Sequence, residues 1–324
     1  MVTGEKRAVL VLGMHRSGTS AVAGAVHLLG AEPPKHLIPA AADNPSGFFE
    51  AATVLGVNDW ILKAGGSTWF DCLGFDPDSL PPRSRGTGLA LVNFALINEF
   101  QTASLLLLKD PRLCLLLDYW LPVLQATSIT PAALLVLRDP HEVVASLMQR
   151  DQCPAAFTAA LWLRHMLAAE HATRDCPRSF IRYDELLGDW RTSMARAAAH
   201  AGLRWPIAFD AVAMQMQRFL DAGLRHHRSA VASPAPLGSL AALMDEAYRA
   251  LLAIAEDDGD AQRRRLDGLR ANFTAWCRRD GASLTARALE GHELLQQPAH
   301  PIPPAWEDRA EALALKAGGP AAPV

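Results

Sequence analysis

The chain has 324 residues, half of them hydrophobic, and a formal net charge of −3 from 31 basic and 34 acidic residues. This length and apolar content suffice for one large α/β domain or for a core with a smaller appendage. The nearly balanced charge excludes the broad basic surface that nucleic-acid-binding proteins use, so any bound anion has to be held by a local cluster.

The cysteines predict neither a disulfide scaffold nor a zinc site. There are five, they are scattered, and none belongs to a C-x-x-C pair. This pattern is typical of a reducing compartment. The first apolar run, Ala8–Leu12, is too short for a signal sequence or a membrane span. We therefore expect a cytoplasmic protein with no membrane span.

Short apolar runs alternate with helical patterns along the chain, which predicts an α/β fold. Runs of this kind suit strands of a parallel sheet that helices cover on both faces, giving three layers. The predicted strands are Ala8–Leu12, Leu105–Leu108, Ala133–Leu137 and Ser179–Arg182. The helices that follow them are Ser17–Leu29, Leu113–Leu124, Glu142–Gln149 and Tyr183–Ala201. Ligands of such sheets bind beyond the carboxyl ends of the strands.

The sequence divides into a core, an extension and a tail. The core spans residues 1–236 and contains a long insertion, 31–104, with helices predicted at Ala51–Ala64 and Gly88–Thr102. The sequence over 237–297 is rich in Ala, Leu and Arg, which predicts a helical extension. Its helices are expected at Leu237–Glu256, Ala261–Asp280 and Leu284–Gln297. Its apolar content exceeds what a thin appendage easily buries, so we expect these helices to form a homodimer face. Residues 298–324 read as a flexible tail, with at most a helical turn at Ala310–Lys316.

The loop Gly13–Ser20 lies between the first strand and the first helix, where phosphate-binding loops occur. Its glycines allow a tight turn, and the amides at the helix start favour an anion. Thr19 stands where nucleoside triphosphatases have their loop lysine, and Arg16 offers the cation instead. The alternative is a tight turn that binds nothing.

A second anion site is indicated after the third strand. Arg138 ends that strand, a turn with Pro140 follows, and Ser146 lies eight residues after the arginine on the predicted helix. Arg138 supplies charge and a two-pronged donor, and Ser146 supplies a neutral hydroxyl donor. An ordinary strand end before a surface helix is the alternative interpretation.

Together these motifs resemble those of sulfotransferases that use 3′-phosphoadenosine 5′-phosphosulfate (PAPS). The residues Arg16, Ser17, Gly18, Thr19 and Ser20 are similar to the family's 5′-phosphosulfate loop, and Arg138 with Ser146 is similar to its 3′-phosphate site. The resemblance implies a P-loop-type fold, PAPS as donor, 3′-phosphoadenosine 5′-phosphate (PAP) as product, and no required metal. Bacterial carbohydrate sulfotransferases and tyrosylprotein sulfotransferases are the groups that it suggests.

Two more segments resemble nucleotide-binding parts of that family. Tyr183 follows the fourth strand at the place of a tyrosine near the adenine. Arg225 and Arg228 belong to a basic cluster comparable to the family's loop over the 3′-phosphate, although a solvated helix end is an equal alternative.

Sulfuryl transfer needs in-line placement, charge stabilisation and a base for the acceptor hydroxyl. Glu50 is the favoured base, since breakers in its loop allow it to turn toward the donor; His15 and Asp110 are alternatives. Lys109, at the end of the second strand, is expected to stabilise the leaving phosphate together with Arg16.

Arg112 is expected to hold the acceptor or a phosphate, and Asp110 to orient Lys109 or cap the next helix. The insertion 31–104 is the natural place for acceptor recognition. The resemblance favours a glycan hydroxyl, with a peptide tyrosine or a small alcohol as alternatives. Two other functions stay open: a P-loop small-molecule kinase or nucleoside triphosphatase, and a non-enzymatic binding protein.

Overall fold

The structure is a computed structural model and describes residues 5–41, 44, 47–72, 75–221, 237–290 and 302–317. Its centre is a four-stranded parallel sheet in the order β2-β1-β3-β4. The strands are β1 (Lys6–Leu12), β2 (Leu105–Lys109), β3 (Ile129–Leu137) and β4 (Arg178–Arg182). The α/β class and all four predicted strands are confirmed.

Strand β3 begins four residues earlier than the sequence indicated and contains Pro131, which lies opposite Ala8 of β1. Proline is avoided inside sheets because it has no N–H to donate. Strand β4 pairs with β3 only from Ala133 onward, so the first residues of β3 have a neighbour on one side alone. This local edge is what allows a proline there.

Helices cover both faces of the sheet. They are α1 (Thr19–Leu28), α2 (Ala52–Ala64), α3 (Pro82–Glu99), α4 (Leu113–Ala126), α5 (Pro140–Asp151), α6 (Ala155–Ala172), α7 (Tyr183–Gly188), α8 (Trp190–His200) and α9 (Phe209–Asp221). Leu10 and Leu12 face the layer that contains α2 to α6, whereas Val9 and Val11 face α1 and α7 to α9. Successive strand residues point to opposite faces, which is why each strand is apolar throughout.

Helix α6 was missed by the sequence analysis, and the predicted helix Tyr183–Ala201 is divided in two. Residues of α6 are buried on nearly all sides, so its sequence has no apolar stripe of helical period. Asp189 causes the division, because its side chain accepts a hydrogen bond from the N–H of Thr192 and caps α8.

The C-terminal extension forms α10 (Leu240–Glu256), α11 (Asp260–Trp276), a π-helical turn (Cys277–Gly281) and α12 (Ala282–Glu290). Its apolar residues, among them Met244, Leu251 and Phe273, belong to the same buried cluster as α6. They are thus covered within one chain, which removes the reason given for a dimer face; the homodimer stays a prediction.

The tail expectation is wrong for the residues around Ala310. A full helix, α13 (Pro304–Ala317), packs on α3 instead of a single turn. Trp306 meets the ring of Phe94 edge-on at 5.9 Å, and Glu307 accepts a hydrogen bond from Trp60 Nε1 at 2.8 Å. These contacts join positions more than 200 residues apart, and local composition does not encode them.

Within the described ranges, no helix is both long enough and apolar enough to cross a membrane.

Candidate functional site

The loop between β1 and α1 has the geometry of an anion cradle. Gly18, with φ of 89°, precedes the first residue of α1 and offers no side chain to cap that helix. The Ser17 hydroxyl is buried and has no hydrogen-bond partner among the residues that the structure describes. A buried hydroxyl without a partner beside an uncapped helix start is what a bound anion would satisfy.

The two anion sites indicated by the sequence are in contact. Arg16 Nε donates to Ser146 Oγ at 2.9 Å, and Arg138 Nη1 donates to the Arg16 carbonyl at 2.9 Å. Arg138 Nε also donates to Glu142 Oε2 at 2.9 Å. Residues 122 and 130 positions apart thus form one cationic cluster at the carboxyl ends of β1 and β3.

Tyr183 lies against the loop. Its ring is so close to Gly18 that a Cβ there would come within 2.2 Å of a ring carbon. The Arg138 guanidinium stands 5.0 Å from the centre of the same ring, a cation–π contact. Tyr183 therefore forms a wall of the loop and is 7% exposed.

Glu50 and Lys109 form a buried ion pair beside the loop. Lys109 Nζ donates to Glu50 Oε1 and, at 3.3 Å, to Ser20 Oγ on the first turn of α1. Asn44 donates to the same hydroxyl at 3.0 Å. The first turn of α1, the segment before α2 and the end of β2 meet at this point.

The pKa of Glu50 is raised, first because burial disfavours its charged form and then because of Asp110; Lys109 and Arg112 oppose the shift. A carboxylate with a raised pKa holds a proton more readily than an ordinary one. Glu50 is therefore suited to accept a proton from a hydroxyl.

Asp110 and Arg112 belong to a second buried network. Asp110 Oδ1 accepts from the Arg112 N–H at 3.0 Å and from its Nη1 at 3.1 Å, so this aspartate caps the turn that leads into α4. Arg112 Nε also donates to Asp59 at 2.6 Å, and Asn58 donates to Asp110 Oδ2 at 2.7 Å. The charge of Arg112 is thus balanced by two carboxylates, and Asp110 serves as a structural partner.

His15 packs on Trp69, with ring centres 4.6 Å apart. Burial and the charges of Arg150, Arg112 and Lys109 lower the pKa of His15 well below 6.5. A ring whose protonated form is disfavoured in this way is a weak general base.

Sequence reasoning missed Trp69, Asn58 and Asp59, because no spacing connects them with the loop. The expected basic loop residues Arg225 and Arg228 lie outside the described residues. The other expected site residues lie at the carboxyl edge of the sheet, in the loops that follow the strands, just before α2, or on the helices α1, α5 and α7.

No family model, curated protein or solved structure matches this chain. The function therefore has to be argued from the site.

Proposed function

We propose that the protein is a sulfotransferase of P-loop-type fold that transfers the sulfuryl group of PAPS to an acceptor hydroxyl. The observation that carries this proposal is the contact of Arg16 with Ser146 and of Arg138 with the Arg16 carbonyl. A donor with a 5′-phosphosulfate and a 3′-phosphate needs cations from more than one loop, and the loop after β1 and the end of β3 offer Arg16 and Arg138 at the same edge of the sheet. A nucleoside triphosphate needs no second site at Arg138 and Ser146.

The residues present fit the sulfate end of such a donor. Ser17 has a buried hydroxyl with no partner among the described residues, Gly18 allows the tight turn into α1, and the first turn of α1 offers amide donors. The hydrogen-bond donors at this point are hydroxyl groups, Arg16 and Lys109. They suit a sulfuryl group, which carries less charge than a phosphoryl group. The nucleotide end has Arg138 and Ser146 for the 3′-phosphate and the exposed part of Tyr183 for the base.

PAPS, when bound, supplies the sulfuryl group and a phosphate leaving group. Glu50 takes the proton of the acceptor hydroxyl as the new S–O bond forms, and Lys109 stabilises the charge that develops on the oxygen whose bond to sulfur breaks. Arg16 holds the migrating group in line. In the structure, Glu50 and Lys109 neutralise each other. Donor binding therefore has to separate Lys109 from Glu50 before Glu50 can act as the base.

Thermal unfolding with two ligands tests the donor class. We expect PAP without metal to raise Tm in a concentration-dependent manner, and ATP with Mg²⁺ to raise it much less. Stabilisation by ATP with Mg²⁺ alone would favour the kinase or nucleoside triphosphatase alternative. Stabilisation by neither ligand would favour the non-enzymatic alternative.

A further inference from the structure

The insertion presents a tryptophan to the donor loop. Trp69 is half-buried, its indole contacts His15 at a ring-centre distance of 4.6 Å, and Phe70 meets it edge-on at 5.3 Å. His15 is the neighbour of Arg16 in the chain. A tryptophan of the insertion is thus in contact with the residue that precedes Arg16, the cation proposed to hold the migrating group.

Buried polar contacts fix the segment that carries Trp69. Arg164 of α6, which is 5% exposed, donates from Nη1 to the Thr68 carbonyl at 3.1 Å and from Nη2 to Ser67 Oγ at 3.2 Å. Ser67 Oγ in turn donates to Asp71 Oδ2 at 3.0 Å. A buried arginine is costly unless its hydrogen bonds are made, so the contacts with Ser67 and Thr68 have to be kept. Because Trp69 follows Thr68 in the chain, these contacts restrict the position of its indole.

His15 brings an unsatisfied group to the same place. Its Nε2 is buried and has no hydrogen-bond partner in the described part of the chain. A buried ring nitrogen of this kind costs free energy until a ligand or water pairs with it. Because the ring is neutral near pH 7, it binds a hydroxyl without demanding a counter-charge.

After burial, the charges of Arg150 and Arg112 are the largest causes of the lowered pKa of His15, and each of these arginines is paired with a carboxylate. Arg112 pairs with Asp59 at 2.6 Å, and Arg150 pairs with Asp151 at 2.5 Å. Such pairs donate to and accept from hydroxyl groups without attracting a net charge. They are ill suited to an anionic acceptor.

We propose that Trp69 and His15 form the acceptor subsite, and that it takes a neutral sugar ring bearing the reacting hydroxyl. This inference rests on the proposed sulfotransferase function. The C–H face of a sugar packs on the exposed part of the indole, and its several hydroxyls pair with His15 Nε2 and the neighbouring charged groups. A tyrosine side chain has one hydroxyl, which goes to Glu50, and would leave His15 Nε2 unpaired.

In the experiment, the full chain is incubated with labelled PAPS. The acceptors are an array of neutral, unsulfated oligosaccharides and an array of tyrosine peptides. We expect label on oligosaccharides. Label on peptides alone, or on neither array while PAP binds, would overturn the acceptor assignment and leave the donor assignment standing. Failure to bind PAP would overturn the proposed function itself.

Variants then test the subsite with the best oligosaccharide from the array. Trp69→Ala is expected to raise its KM about tenfold or more, and Trp69→Phe to restore most of the loss, while the KM of PAPS and the Kd of PAP stay within about twofold. His15→Ala should raise the same KM. Trp205→Ala is the matched control, since it removes a half-buried indole on the opposite face of the sheet.

Circular dichroism and PAP calorimetry show whether each variant folds. A Trp69→Ala protein that binds PAP normally and keeps the wild-type KM for the oligosaccharide would contradict the proposal. Equal effects of Trp69→Ala and Trp205→Ala would contradict it as well.

Discussion

The Lys109 ammonium donates a hydrogen bond to the Glu50 carboxylate, and both side chains are at least nine-tenths buried. The pair joins the end of β2 to the segment that precedes α2. Breaking a buried pair leaves an unbalanced charge, so each member strongly affects the other. In the proposed reaction the two members of the pair have different roles. Glu50 is the base, and Lys109 stabilises the leaving oxygen.

Glu50→Gln is expected to lower kcat by about two orders of magnitude or more, because the amide cannot take the acceptor proton. The Kd of PAP should change little, since Glu50 accepts its hydrogen bond from Lys109 and not from Arg138 or Ser146. Steady-state rates with an acceptor that the wild-type protein sulfates, together with calorimetry, measure both quantities. Glu246→Gln, at a half-exposed position of α10, is the control; a Glu50→Gln rate near that of this control would remove Glu50 as base.

Lys109→Ala is expected to lower turnover by orders of magnitude as well, because the ammonium group proposed to stabilise the bridging oxygen is then missing. The control is Lys63→Ala, which removes an exposed lysine from the end of α2. PAP-binding calorimetry on the Lys109 variant separates lost chemistry from lost folding. Turnover equal to that of the Lys63 variant contradicts the role given to Lys109.

Gly18→Ala is expected to weaken PAP binding at least about tenfold. Its backbone has a φ of 89°, and the new Cβ would come within 2.2 Å of the Tyr183 ring, so the loop has to move. Gly66→Ala is a matched control, because Gly66 also has a positive φ, 67°, but nothing lies within 4 Å of its added Cβ. Similar affinity losses in both variants would show that backbone strain alone matters, and not the contact with Tyr183.

Stability should fall with acid because of His165. Burial and the charge of Arg164 lower the pKa of His165 from 6.5 to about 3. The unfolded chain then binds a proton below pH 6.5 that the folded protein refuses, so the free energy of unfolding falls as pH drops from 6.5 toward 3. Between pH 7 and pH 5 this group contributes a loss of about 2 kcal/mol.

Urea unfolding at both pH values checks this, with His165→Gln as the comparison. The variant should lose about 2 kcal/mol less than the wild-type protein on going from pH 7 to pH 5. An identical loss in both proteins would mean that His165 is protonated in the folded state.

The parts of the fold that follow from local pattern were predictable. The four strands are uniformly apolar and stop at charged or glycine-bearing loops, and parallel strands bring those loops to one edge. This is why Arg16, Lys109 and Arg138 were expected together and are found together.

What the sequence did not reveal depends on contacts between distant segments. Helix α6 is buried all round and has no readable period, and α13 docks on a helix more than 200 residues earlier. Trp69 follows Thr68, which Arg164 holds from 96 positions later, and it packs on His15, 54 positions earlier. No spacing rule connects such residues with the donor loop.

In the proposed function, the site holds a nucleotide with a 3′-phosphate. Calorimetry of the wild-type protein with PAP and with AMP, in the absence of metal, tests this most directly. Arg138 and Ser146 should make PAP bind at least about tenfold more tightly than AMP, and Arg138→Ala or Ser146→Ala should remove most of that difference, whereas Arg191→Ala should not. Equal affinities for PAP and AMP would contradict a 3′-phosphate site at Arg138 and Ser146. A preference for PAP that both variants retain would contradict it as well.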